Sequence, residues 1–258
     1  FVSGDYNVGI GHQADKTRAA GNYNISIGYR ANEYQGAGGG SNSIAIGQNA
    51  SLHYGRIAVG VYQSKSNRIA VGSYAGAYMT SGDNSTIIGI NSYKGNASVY
   101  NATASYVTTL GANTGQYATG SYNTFIGAEA GKGGTTSAPF SSGTYNTAVG
   151  SQAMENFTTG FSNVAVGANA LFQDTTGQYN TAVGAGALFA NTTGQANIAL
   201  GLDSLVSSQA TSNMVSIGFQ AMHESNHADT AGNVAIGYTA LRMNVKGAQN
   251  VAIGDEAG

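Results

Sequence analysis

Residues 223–227 read HESNH, a literal match to H-E-x-x-H. In a zinc protease this spacing sets two histidines one helical turn apart, so that both imidazoles reach one metal while the glutamate activates water. That chemistry needs a helix and a third ligand downstream. The only candidates that follow are Asp229, Asp255 and Glu256. The stretch lies inside GFQAMHESNHADTAGNVAIG (218–237), between two copies of a repeated phrase that close at Gly218 and Gly237. It is therefore expected in a lengthened outer loop rather than on a helix, without a metal.

Other catalytic signatures are missing. The chain has no G-x-x-x-x-G-K-[ST], no G-x-S-x-G and no G-x-G-x-x-G between strand and helix. The glycine run 36–40 is followed by no helical pattern, so it makes no phosphate cradle. The glycine-rich turns carry no Asp ladder of the calcium-binding kind. A glycosidase needs two suitably spaced carboxylates, whereas the 12 acidic residues here are scattered mostly singly. The expectation is a non-enzymatic protein without cofactor, with a fibre-borne polysaccharide hydrolase as the weaker alternative. Charged residues make up 9% of the chain against about 25% in ordinary domains. Net charge is −2, and no basic stripe or polybasic run points to nucleic acid or anionic membranes. No apolar run approaches the ~20 residues of a membrane-spanning helix. Cysteine and tryptophan are absent, with 39 glycines and a single proline, Pro139.

What organises this composition is a phrase of the form N-[VIT]-A-[VIL]-G, which recurs fifteen times. Seven of the fourteen intervals between its glycines are 17 residues. Self-similarity at a fixed period marks a solenoid. One residue before the glycine is always Ile, Val or Leu, and three before is always β-branched. Two before is small in twelve copies. Such alternation bounded by Asn and Gly predicts a strand. The Asn, four residues before the glycine in nine copies, suits a corner because it tolerates left-handed backbone. The glycine suits a sharp exit with positive φ. Ala three residues beyond the glycine, often followed by Leu or Met, predicts a short return strand. Each unit then makes one coil, and about fifteen coils stacked at ~4.8 Å give an all-β parallel solenoid. The chain divides into variable coils (1–89), irregular insertions (90–144) and regular 17-residue coils (145–258) of one repeat domain. It ends at Gly258 within a repeat, as expected of a segment of a longer protein.

If the residues one and three before the glycine fill the coil interior, the small residue between them faces out. A column of Ala45, Ala58, Ala70, Ala148, Ala165, Ala182, Ala199, Ala235 and Ala252 then lets sister chains approach closely, which predicts a homotrimer interface. Thr in the column three before the glycine is likewise expected inside. The stretches SNSIAIGQNAS (41–51), GNVAIGYTAL (232–241) and QNVAIGDEAG (249–258) resemble the head repeats of YadA-like trimeric autotransporter adhesins. YNTAVGAGALFANTTGQANIALG (179–201) is similar to repeat arrays of phage tail fibres and tail-fibre-like surface proteins. The resemblance implies a left-handed parallel β-roll, three chains around the fibre axis, and attachment of a virion or bacterium to a cell-surface glycan or protein. Adhesin head repeats are usually shorter than this unit, so the regular part fits the tail-fibre version better.

Regularity fails between Gly89 and Tyr145, where the small column becomes Ile87, Thr109 and Phe125. Loops inserted there, and at 29–42, are the expected carriers of recognition. Their aromatic and basic side chains, Tyr29, Arg30, Tyr34, Tyr93, Tyr100, Tyr106 and Phe140, are the candidate receptor-binding residues, since Tyr buries area at low entropic cost. Tyrosines recurring just before the corner Asn, such as Tyr122, Tyr145 and Tyr179, are expected to stack structurally.

Overall fold

A computed structural model describes residues 6, 8–14, 25–29, 44–46, 68–72, 74–76, 84–95, 104–134, 141–225, 231–244 and 246–258; at 44–46, 68 and 70 it describes the backbone alone. The chain is an all-β parallel solenoid, with no helix among the described residues. Its strands are β1 (Val8–Ile10), β2 (Ile25–Ile27), β3 (Ile44–Ile46), β4 (Arg68–Val71), β5 (Ser85–Ile88), β6 (Thr108–Leu110) and β7 (Thr124–Ile126), followed by β8 (Thr147–Val149), β9 (Val164–Val166), β10 (Thr181–Val183), β11 (Ile198–Leu200), β12 (Val215–Ile217), β13 (Val234–Ile236) and β14 (Val251–Ile253). All fourteen form one sheet in chain order. The register keeps like positions opposite each other, as in Ala165↔Ala182↔Ala199. The fifteenth copy of the phrase, closing at Gly60, lies outside the described residues.

The closing glycine makes the corner possible. Gly184 has φ +136°, and a Cβ there would run into the carbonyl oxygen of Gly201 in the next coil. The Gly184 N–H itself donates to Val166 O at 2.8 Å, which continues the ladder round the bend. At the other end of the strand the left-handed residue is the one before Asn: Tyr122, Tyr145 and Tyr179 have φ of 61°, 58° and 57°. Where Asn occupies that earlier place, as Asn84 and Asn213 do, it is left-handed too. The regular Asn has another task. From Asn123 to Asn233 it is fully buried, and its amide links coils. Asn180 Oδ1 accepts from Asn197 N at 3.0 Å, and Asn180 Nδ2 donates to Gly194 O at 2.8 Å. The same pair of bonds recurs at Asn146 and Asn163.

The predicted return strand is a turn. Leu171, Leu188 and Leu205 have φ between 52° and 55°, incompatible with extended backbone. Their N–H groups still bond the coil ahead, Leu171 N to Ala187 O and Leu188 N to Ser204 O, each at 3.0 Å. Left-handed backbone costs a non-glycine residue roughly 1–2 kcal/mol. Complete burial of each leucine offsets it.

The interior is the reverse of the expectation. Ala148, Ala165, Ala182, Ala199 and Ala235 are fully buried within the single chain, so they cannot meet sister chains. They pack beside the Ala and Leu of the facing turn, Ala170 and Leu171 or Ala187 and Leu188. The space between these walls is narrow, and only a small side chain fits on the strand. The β-branched rows face outward instead: Val164 is 37% and Val166 36% exposed. Thr108 is exposed, and Thr86, Thr124, Thr147 and Thr181 are half-buried. Ala252, in the last coil, is half-buried because no coil covers it. The side chains of Ala45 and Ala70, and all of Ala58, lie outside the description.

Two irregular coils exchange bulk between strand and turn, whereas the coil of Ile87 is large on both, with Tyr93 at the leucine place. Phe125 replaces the small strand residue, and the facing leucine becomes Gly131, where a Cβ would lie 2.5 Å from the Phe125 ring. Phe125 also meets Phe157 at 5.5 Å between ring centroids. Thr109 fills its own position and bonds Ser92 at 2.8 Å. Ile87, Thr109 and Phe125 are all fully buried.

Candidate interaction surface

Four columns make up the outer face of the sheet. A leading column lies five residues before each closing glycine, two outer strand rows lie three and one before it, and a trailing column lies one after. Between Asn84 and Tyr238 none of these positions carries Asp, Glu, Lys or Arg. The strand rows are Thr, Val and Ile at the first and Ile, Leu and Val at the second. Among the described residues they are half-buried to exposed. Monomeric proteins rarely leave a contiguous apolar patch of more than a few hundred Å² open to water. This one runs without a break from β5 to β13.

Aromatic side chains border it. In the leading column Tyr106, Tyr122 and Tyr145 form a ladder with ring centroids 4.9 and 4.8 Å apart and planes within 6°. These are the stacked tyrosines expected from register, and their spacing is that of the coils. Tyr106 is 50% and Tyr145 59% exposed. Tyr179 continues the column and meets Phe161 edge-on at 5.2 Å. In the trailing column Phe219 and Tyr238 stack at 5.3 Å, with Leu202 exposed beside them. Sequence reasoning passed over Leu202, Phe219 and Tyr238, although their common place after the glycine was visible.

The receptor candidates separate. Tyr106 belongs to the ladder. Tyr29 is exposed and stacks on His12 at 5.5 Å. Tyr93 is not a surface residue: it is 1% exposed, stands where other coils have Leu, and donates its hydroxyl to Gly120 O at 3.1 Å. Burial pushes its phenol pKa up, further from ionisation. Arg30, Tyr34, Tyr100 and Phe140 lie outside the described residues.

His223 and Glu224 sit in a turn, not a helix, with His223 Nδ1 3.9 Å from Glu224 Oε1. His227 lies outside the described residues. Among the described residues no group of three His, Cys, Asp or Glu could hold a metal ion. Glu129 and Glu155 approach one another through Lys132, whose ammonium is 3.2 Å from both. Gln152 donates to the other Glu129 oxygen at 3.1 Å. Partial burial works against the Lys132 charge, but these two carboxylates outweigh it and raise its pKa. One ammonium thereby bridges two carboxylates and offsets one of their charges, a clamp between consecutive coils.

Among the described residues one carboxyl group is internal. Asp174 is fully buried, in the interior column that carries Asn191, Ser208 and Ser225 in later coils. Oδ1 accepts from Asn191 Nδ2 at 2.9 Å and Gly177 N at 3.1 Å, and Oδ2 from Asn163 Nδ2 at 3.1 Å. Burial outweighs these three donors and pushes the pKa up to about 7.

No family model matches the chain, and neither a curated protein nor a solved structure does.

Proposed function

We propose that this chain is a non-enzymatic structural and receptor-binding segment of a trimeric extracellular or virion fibre, of the tail-fibre or tail-fibre-like kind, that attaches its bearer to a cell-surface glycan or protein. The head of a bacterial trimeric autotransporter adhesin is the alternative, with the same architecture and role. The observation that supports this reading is the uncharged aliphatic outer face of the sheet. It is the side opposite to the alanine column from which self-association was first inferred. Covering one half-exposed Val or Ile is worth roughly 1 kcal/mol. Two per coil over the stack give a gross gain on the order of 20 kcal/mol, enough to exceed ordinary association costs. The parallel stack, tied by amide ladders, is a stiff support for exposed aromatics and loops.

Sedimentation equilibrium of the intact chain is expected to give three times the chain mass, and a clean monomer overturns the reading. Purified protein is expected to be retained on receptor-bearing cells without releasing reducing ends from their surface polysaccharide. Depolymerisation would favour an enzyme instead.

A further inference from the structure

The two borders of the outer face compensate each other in bulk. Take each coil by its leading residue and its trailing residue. In three coils the leading residue is large and the trailing one small: Tyr122 with Ala128, Tyr145 with Ser151, Tyr179 with Ala185. In three later coils the order is reversed: Ala196 with Leu202, Asn213 with Phe219, Gly232 with Tyr238. Tyr106 with Ala112 follows the first pattern. The coil between, Ser162 with Ala168, is small at both ends, and Phe161 one place earlier supplies the bulk against Tyr179. From Gly111 to Gly237 no coil is large at both borders. The relation does not extend to the first two coils, which pair Tyr6 with His12 and Tyr23 with Tyr29.

Nothing within one chain explains this. The two residues of a coil are separated by a whole strand, on the order of 15–20 Å at ~3.3 Å per residue. They lie at opposite margins of the sheet, and their side chains are exposed or half-buried. Their volumes have no common space to fill in the single chain. They share space only if the leading border of one copy lies against the trailing border of another at the same height. Rotation about an axis parallel to the coil stack, with no axial shift, gives that contact. A two-fold axis across the stack would reverse coil order and pair unlike coils.

We infer that copies of this chain associate in parallel and in coil register, the tyrosine border of one packing on the small-residue border of its neighbour in coils 106–185. In coils 196–238 the relation is inverted, so that Leu202, Phe219 and Tyr238 reach across to the small border of the other copy. This rests on the self-association proposed above and adds to it the register, the polarity and the residues. Alternation of the large partner from one border to the other also penalises slipped registers. A slip of three coils sets Tyr145 or Tyr179 against Leu202 or Tyr238.

The absence of cysteine makes the test direct. A chain carrying Tyr179→Cys and Ala185→Cys is expected to form a closed covalent oligomer on mild oxidation, while each single variant stays uncrosslinked. Tyr179→Cys with Ala128→Cys, three coils apart or ~14 Å, is expected not to bridge, because a disulfide needs Cα atoms within about 7 Å. Independently, Ala185→Tyr is expected to raise the dissociation concentration about 10-fold or more, and Tyr179→Ala added to it to restore assembly. An assembly without the in-register bridge, or Tyr179→Cys bridging to itself, overturns the inference while leaving self-association intact. A monomer by mass overturns both.

Discussion

Replacing Asp174 with asparagine removes the one buried carboxylate among the described residues, a charge that the folded chain has to accommodate without a counter-ion. The carboxyl titrates at about 7 in the folded chain against an ordinary 3.8. At about 1.4 kcal/mol per pH unit, the ionised form costs the fold about 4 kcal/mol. The sign follows from proton counting. Below about pH 4 folded and unfolded chains both hold the proton, and no penalty exists. Between about pH 4 and 7 the folded chain keeps a proton that the unfolded chain has released, so stability falls as pH rises. Above about pH 7 the penalty is constant. In Asp174→Asn the amide oxygen still accepts from Asn191 and Gly177, as Oδ1 does now. Its NH₂ then faces the Asn163 donor that Oδ2 accepts from, which costs back about 1 kcal/mol. The net gain above pH 7 is about 3 kcal/mol, or a melting temperature higher by about 6–12 °C at this chain length. Thermal unfolding followed by far-ultraviolet circular dichroism, from about pH 3 to pH 9, compares the two chains. All other carboxylates and histidines are common to both, so the difference curve isolates position 174. Parallel curves across pH 4–7, or a variant less stable than the native chain at high pH, would refute the reasoning.

Three further outcomes test the packing. Phe125→Ala is expected to cost about 3–5 kcal/mol by leaving a cavity, and Phe125→Ala with Gly131→Leu, which restores the regular coil, to recover more than about 1 kcal/mol in a double-mutant cycle of urea midpoints. Asn180→Ala strands the buried Asn197 N–H and leaves the Gly194 carbonyl only its longer bond from Asn191 Nδ2, an expected loss of roughly 1–3 kcal/mol. Accelerated amide exchange in β10 and β11 would report it. Tyr93→Ala is expected to destabilise by about 3–5 kcal/mol and Tyr106→Ala by about 1 kcal/mol or less; equal effects in thermal melts would contradict the assignment of one to the core and the other to the surface.

Much of the architecture was already legible in the one-dimensional pattern. A 17-residue period, β-branched alternation and an invariant closing glycine describe a parallel stack because only like coils, superposed, pair every strand. Each is a local property, or a sum of identical local properties. Stacking of Tyr106, Tyr122 and Tyr145 was legible for the same reason, since a side chain repeated in register meets its own copy one coil away. Which face of the strand is inside was not legible. Period-two alternation distinguishes two faces but does not say which is covered, and the bulkier, more hydrophobic rows were the natural choice for a core. The tertiary structure reversed it because the facing wall, Ala170 with Leu171 and its equivalents, leaves room only for alanine. Exchange of Phe125 with Gly131 shows the same wall from the other side. Tyr93 was misplaced for a related reason: an aromatic in an inserted segment looks like a loop residue until its position four beyond a glycine is seen to be the leucine site. Sequence alone thus determined that coils stack; the width of the space they enclose decided which residues remain outside to meet another chain.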